Sequence, residues 1–344
     1  MRTGALALAL GLLAALSPAA AEPSAEALWS AYKARFIAPE GRLVDDSQQS
    51  VSHSEGQGYA MLLAVFSGDR ETFDRLWAWT RANLDIRPDG LAAWRWRPGD
   101  SPHVLDKNNA TDGDLLIAWA LAAGAAQWSD GGLRTFAAKR ARTISGELTY
   151  ASAFGPALAP GAAGFGAEDG ADGPVVNLSY WVFPAFESLA EVAPEVDWNA
   201  LRLSGLALTD AAKFGPRRLP ADWISLAYGV QPAKSFPPRF GYDALRTPLY
   251  LAWGAPQERS RLRALIESWE EGKEGPVAVV DLDSGKSVAP LREAGYRAVA
   301  ALARCAAYDV KFPDDLRWVN LDSYYSATLH MLSLTALRQR FPQC

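Results

Sequence analysis

The sequence predicts an all-α fold, a toroid or solenoid of paired helices, and three observations carry that expectation. Segment after segment places apolar residues at helical spacing, strand-like alternation is scarce, and Gly- and Pro-bearing loops separate the segments at short intervals. In chain order the helical segments are 25–36, 58–66, 71–84, 115–128, 132–148, 184–192, 198–213, 248–255, 258–271, 291–307 and 323–340. Residues 222–228 leave room for one more, and 276–281 is the best candidate for a short hairpin arm. The Gly- and Ala-rich stretch 154–174 reads as an irregular surface loop. It is not an interdomain linker, since similar helical pairs continue on both sides, so 22–344 is expected to form one domain. About a dozen helices in one chain suit a toroid or solenoid, and no fixed-period repeat is visible.

Composition narrows the function classes. With 49% hydrophobic residues among 344, the chain can bury one large core or two modest ones. A net charge of -5, with both signs mixed along the length, argues against a nucleic-acid partner. Thirteen Trp, eleven Tyr and thirteen Phe supply flat apolar faces that serve core packing and sugar stacking equally well.

The first residues read as an export signal. Met1-Arg2 is a positive start, Ala5 to Leu16 is an apolar run, and Ala19-Ala20-Ala21 is a cleavage site, which gives a signal peptide over 1–21. That run is too short to span a bilayer, and no second run of about 18 apolar residues follows. A periplasmic or secreted product is therefore expected, without a membrane span. Cys305 and Cys344 could pair in an oxidising compartment, but the sequence does not show that they meet. Three His and no clustered Cys leave little from which to build a metal site.

Three segments put carboxylates where a helix begins. In Ser52-His53-Ser54-Glu55-Gly56-Gln57-Gly58-Tyr59, Glu55 leads into an apolar helix, and Ser52-x-x-Glu55 also fits a capping box. In Asn108-Asn109-Ala110-Thr111-Asp112-Gly113-Asp114, the pattern Thr111-x-x-Asp114 accounts for Asp114 as a cap more easily than Asp112. In Tyr242-Asp243-Ala244-Leu245-Arg246-Thr247-Pro248, Thr247 reads as an N-cap and Pro248 as the first helical residue. Asp243 then lies just outside, where a salt bridge to Arg246 would occupy it equally well. Inverting glycoside hydrolysis needs one protonated carboxyl at the leaving oxygen and one carboxylate to activate water, roughly 6.5–9.5 Å apart. The acid must keep its proton near neutral pH, which takes burial or a nearby negative charge, because a helix N-terminus favours the charged form.

These motifs resemble glycoside hydrolase family 8. Ser54-Glu55-Gly56-Gln57-Gly58-Tyr59 resembles its acid-bearing motif, Ala110-Thr111-Asp112-Gly113-Asp114 its signature helix, and Tyr242 to Pro248 the motif that carries the base in its cellulases. Gly124 departs from an expected alanine. The likeness runs from Trp29 to Leu334 and is greatest to the periplasmic endoglucanases that accompany bacterial cellulose synthesis. The resemblance implies an (α/α)6 barrel with a small β element and inverting endo-hydrolysis of a β-1,4-glucan such as cellulose. It implies no cofactor, a monomer, and a functional link to a cellulose synthase. It also implies Glu55 as proton donor, Asp243 as general base, Asp112 as the residue that distorts the sugar, and Arg246 as a residue that orients Asp243 or contacts the sugar.

Among the aromatics, Trp94 is the preferred stacking platform, with Tyr180, Tyr324 and Tyr325 as further substrate contacts; core packing competes at each. His53 reads as a structural hydrogen-bonding residue. A chitosanase, lichenase or xylanase of the same family is the alternative activity. Arg95, Arg97 and Arg246 near the motifs favour a neutral glucan over cationic chitosan. A non-catalytic glycan-binding protein is the alternative class, and the presence of all three acids speaks against it.

Overall fold

A computed structural model describes residues 24–270 and 277–344. The expected signal peptide, 1–21, and the first residue of the expected hairpin arm lie outside the described residues. The helices are α1 (Ala25–Phe36), α2 (Ser54–Phe66), α3 (Arg70–Asn83), α4 (Thr111–Trp128), α5 (Gly131–Glu147) and α6 (Phe183–Val192). They continue with α7 (Trp198–Ala211), α8 (Arg246–Gly254), α9 (Arg259–Trp269), α10 (Ala294–Tyr308) and α11 (Tyr324–Arg340). Among the described residues, no helix is long and apolar enough to cross a membrane.

Burial divides the helices into two rings. Helices α2, α4, α8 and α11 are buried almost all round, whereas α1, α3, α5 and α9 bury one stripe and wet the other. The inner ring runs α2, α4, α6, α8, α10, α11 and back to α2, each packed against the next. Outside it, α1 packs on α11, α3 on α2, α5 on α4, α7 on α6, and α9 on α8 and α10. The short 3-10 turn Asp314–Leu316 against α10 takes the remaining outer place. This alternation of inner and outer helices is an (α/α)6 barrel.

Side-chain capping is uneven among the helices, with His53 capping the inner α2 and no side chain capping the outer α9. Ser24, Asp69, Asp130 and Asp197 accept backbone N–H groups at the starts of α1, α3, α5 and α7. The inner helices α4, α6, α8, α10 and α11 start without any side-chain cap. Within their first turns, Gly113 N in α4 still finds a side-chain acceptor in Asp112 Oδ1 at 2.8 Å.

Small antiparallel sheets join the helices at the loops, and two of them depart from the sequence reading. Residues 222–228 form no helix; Ile224–Ser225 is a strand between Val175–Val176 and Gln231–Pro232. The loop expected over 154–174 begins as a strand, Gly155–Leu158, paired with Thr149–Ser152. At 224–225 pairing with the distant Val175–Val176 overrides weak local preference, whereas 149–158 closes as a tight local hairpin. The expected hairpin is present as Ala278–Asp281 with Ser287–Pro290, and Arg239–Phe240 adds a third strand to it. Cys305 in α10 and Cys344 at the C-terminus form a disulfide, with Cα atoms 6.1 Å apart.

Candidate active site

The three acid-bearing entrances converge at one end of the inner ring. Helix α2 starts four residues earlier than its apolar pattern suggests, so Glu55 stands in its first turn. Helix α4 likewise starts at Thr111 and takes Asp112 into its first turn. The two starts touch at Gly113. A Cβ there would lie 2.1 Å from Ser54 Oγ and 2.8 Å from the Glu55 nitrogen, so only glycine lets the two acids approach this closely.

Helix α8 begins at Arg246, and its approach is already turned. Arg246 N donates to Asp243 O at 3.1 Å, and Thr247 N to Ala244 O at 3.0 Å. The expected N-cap Thr247 and first-position Pro248 therefore lie inside the helix. Leu245 holds the cap position without a side-chain bond, and Thr247 Oγ1 is buried without a partner.

Arg246 gathers the acids. Its Nη1 donates to Glu55 Oε1 and, at 2.8 Å, to Asp112 Oδ2, while Nη2 donates to Asp243 Oδ1 at 2.8 Å. The guanidinium is fully enclosed and packs 5.7 Å from the Tyr180 ring centre. Behind it, Tyr59 donates to Glu55 Oε1 at 3.0 Å and meets the Tyr250 hydroxyl at 2.5 Å. Both tyrosines were legible in spacing, since Tyr59 is four residues after Glu55 and Tyr250 four after Arg246. Sequence reasoning assigned neither a role.

The capping alternatives are settled by these contacts. The α2 cap is His53, whose Nδ1 accepts from Gly56 N at 3.3 Å while Nε2 meets Asp45 at 3.3 Å. Glu55 makes no capping bond. Asp114 is not a cap either: its Oδ1 accepts from Ala92 N at 2.9 Å and Arg140 Nη1 at 2.6 Å, and its Oδ2 from Asn109 at 2.9 Å. It fixes the loop beside the site and faces the core.

Three carboxylates share one guanidinium, so their charges are not balanced. Burial, and then the Glu55 charge, push the Asp112 carboxyl up to about 7 against the pull of Arg246. Burial pushes Asp243 up to about 6; Arg246 opposes this, and Asp222 and Glu55 add to it. Exposure separates the three: side chains of Glu55 and Asp243 are 19% and 31% exposed, that of Asp112 only 3%. Solvent therefore reaches two acids and not the third.

The aromatic candidates divide. Trp94 lies beside the α2 entrance, its carbonyl accepting from Ser54 N at 3.1 Å and its indole N–H donating to Asp106 at 2.8 Å. The Arg95 guanidinium covers one ring face at 5.4 Å. Tyr180 is buried against Arg246. Tyr325 is half-buried and donates to Tyr242 O at 2.6 Å, next to the base loop. Tyr324, expected to contact substrate, instead points into the core. It is fully enclosed by Phe36 and His53, with its hydroxyl beneath Gly56, because the first turn of α11 turns this position inward.

Comparison with known proteins agrees with this architecture. The family model described as glycosyl hydrolases family 8 matches residues 4–339. An endoglucanase of Cellulomonas uda is 40% identical over 72% of this chain and 67% of its own length. A probable endoglucanase of Novacetimonas hansenii is 36% identical over 91% of each chain. The crystal structure of a family 8 endo-β-1,4-glucanase from an Achatina fulica gut metagenomic library superposes with a TM-score of 0.82 at 35% identity. That superposition covers 94% of this chain and all of the other.

Proposed function

Because this chain belongs to glycosyl hydrolases family 8, we propose that it is an endo-β-1,4-glucanase that inverts the anomeric centre, with Glu55 as acid and Asp243 as base. The observation that carries the reading is the gathering of Glu55, Asp112 and Asp243 from three helix entrances around the buried Arg246. In the proposed mechanism Glu55 delivers a proton to the glycosidic oxygen as the bond to the anomeric carbon breaks. Asp243 accepts a proton from water, whose oxygen attacks that carbon from the opposite face. Arg246 holds the two carboxylates through different nitrogens, Glu55 on Nη1 and Asp243 on Nη2. Asp112, enclosed and bonded to Arg246 Nη1 and to its neighbour Gly113 N, is suited to hold the sugar ring in its distorted form.

The glucan preference rests on the relatives. Arg246, counted from sequence toward a basic cleft, is occupied by three carboxylates and says nothing about substrate charge. We place the protein in the periplasm or outside the cell, as one domain and a monomer, trimming glucan beside a cellulose synthase. The export-type N-terminus supports the location, and the likeness to a probable endoglucanase of Novacetimonas hansenii supports the activity.

Reducing-end release from carboxymethyl-cellulose, mixed-linkage glucan, chitosan and xylan tests the substrate. Turnover confined to chitosan or xylan would refute the glucanase reading. Glu55→Gln should abolish hydrolysis while oligosaccharide binding persists, and Asp243→Asn should do the same. Product anomers followed by NMR test the stereochemistry, and retained configuration would overturn the mechanism.

A further inference from the structure

We propose that Asp222 is a positioning residue for the base, gripping the loop that carries Asp243 and facing it with a second buried negative charge. The inference rests on Asp243 being the base. Asp222 lies just before the strand Ile224–Ser225 and is 1% exposed. Its Oδ1 accepts from Gly241 N at 2.8 Å and Ala244 N at 2.9 Å, the backbone donors on either side of Asp243. Its Oδ2 accepts from Arg239 Nε at 3.1 Å, and its own N–H donates to Arg239 O at 2.8 Å. Residues 239–244 therefore wrap one carboxylate. Gly241 is fitted to it: a Cβ there would lie 2.6 Å from Asp222 Oδ2 and 3.0 Å from Arg239 Nε.

Loop anchoring alone does not call for a charge, since an uncharged oxygen also accepts two N–H bonds. Burying a carboxylate is costly unless its charge is compensated. The cation supplied, Arg239, has a side chain 43% exposed and so compensates weakly. The charge acts on Asp243, which faces Arg246 on its own turn, Glu55 from α2, Asp222 from this loop, and the hydroxyls of Tyr180 and Tyr325. Arg246 favours the ionised base, while Asp222 and Glu55 favour the protonated one. Asp222 thereby keeps Asp243 basic despite its contact with a guanidinium, and a stronger base removes a proton from water more readily.

The test is kcat and KM against pH on a soluble glucan for the full chain and for Asp222→Asn, Asp222→Ala, Arg239→Met and Asp243→Asn, with melting temperatures alongside. Asp222→Asn should move the acid limb of kcat down by about half to one pH unit and lower plateau kcat about 3- to 10-fold, with KM within about twofold. Asp222→Ala, which also loses the grip, should lose about 30-fold or more in kcat, and Asn at this position should recover part of that loss. Arg239→Met should move the limb up, because it leaves the Asp222 charge less compensated. An acid limb unmoved in both Asp222→Asn and Arg239→Met, whatever the melting temperatures, would overturn the proposal. Turnover surviving in Asp243→Asn would instead remove the base assignment on which it rests.

Discussion

Replacing Asp112 by Asn should make the protein more stable at alkaline pH while impairing its chemistry. The folded protein raises this carboxyl from 3.8 to about 7. Between those values the folded form binds more protons than the unfolded form, so stability falls as pH rises and levels off above 7. Each pH unit in that window costs about 1.4 kcal/mol, so raising the pH from 5 to 8 withdraws on the order of 3 kcal/mol through this one group. An amide of the same shape cannot ionise, and Arg246 keeps Glu55 and Asp243 as partners. Urea unfolding of both proteins at pH 5 and pH 8, with the disulfide intact, measures the difference. The gap should move in favour of Asp112→Asn by on the order of 3 kcal/mol between the two pH values, or about 5 °C in melting temperature. A gap that stays constant, or moves the other way, would show that Asp112 is ionised throughout and refute the account of the cluster.

Four further outcomes follow from the structure. Because Asp243 must be ionised to act as base and is raised to about 6, kcat should climb with pH through a midpoint near that value; a limb near 4 would contradict it. Arg246→Met leaves three carboxylates without their cation and should cost about 3–5 kcal/mol in urea unfolding as well as turnover. Arg246→Lys should restore little activity, since one ammonium cannot hold acids at both ends of a fork. Removing the Cys305–Cys344 disulfide, which closes a separation of 39 residues, should lower stability by about 4 kcal/mol without displacing the site, measured by unfolding and by kcat at 25 °C.

Much of the barrel was legible because inner helices such as α4 and α11 carry apolar residues on nearly every face. Their entrances were not. Ser54 to Gln57 and Thr111 to Asp114 are polar or small, so the periodic signal begins a turn too late and the acids resemble caps. Glu55 could not be told from a capping glutamate locally, because its partner Arg246 is 191 residues away. Tyr324 and Tyr325 are adjacent in sequence, yet one is core and the other borders the base loop; the phase of a helix at its first residues is fixed by packing. Asp222 was placed in a possible helix, and its grip on the base loop depends on loops meeting in space.

The capping pattern gives the acid cluster its physical sense. A helix start favours negative charge, and α1, α3, α5 and α7 use that by placing Ser or Asp at the cap, bonded to orphan N–H groups. At α2, α4 and α8 carboxylates stand within a turn of the start without serving as the cap. Two are spent on a guanidinium shared three ways, and Asp112 bonds only its neighbour's N–H besides. Local capping would have stabilised each carboxylate separately and held each ionised. Sharing one cation among three leaves a net negative cluster in which Asp112 and Asp243 bind protons near neutral pH. The cost to stability and the readiness to exchange protons are therefore one property. A variant that relieves the first should lose the second, and Asp112→Asn measures both.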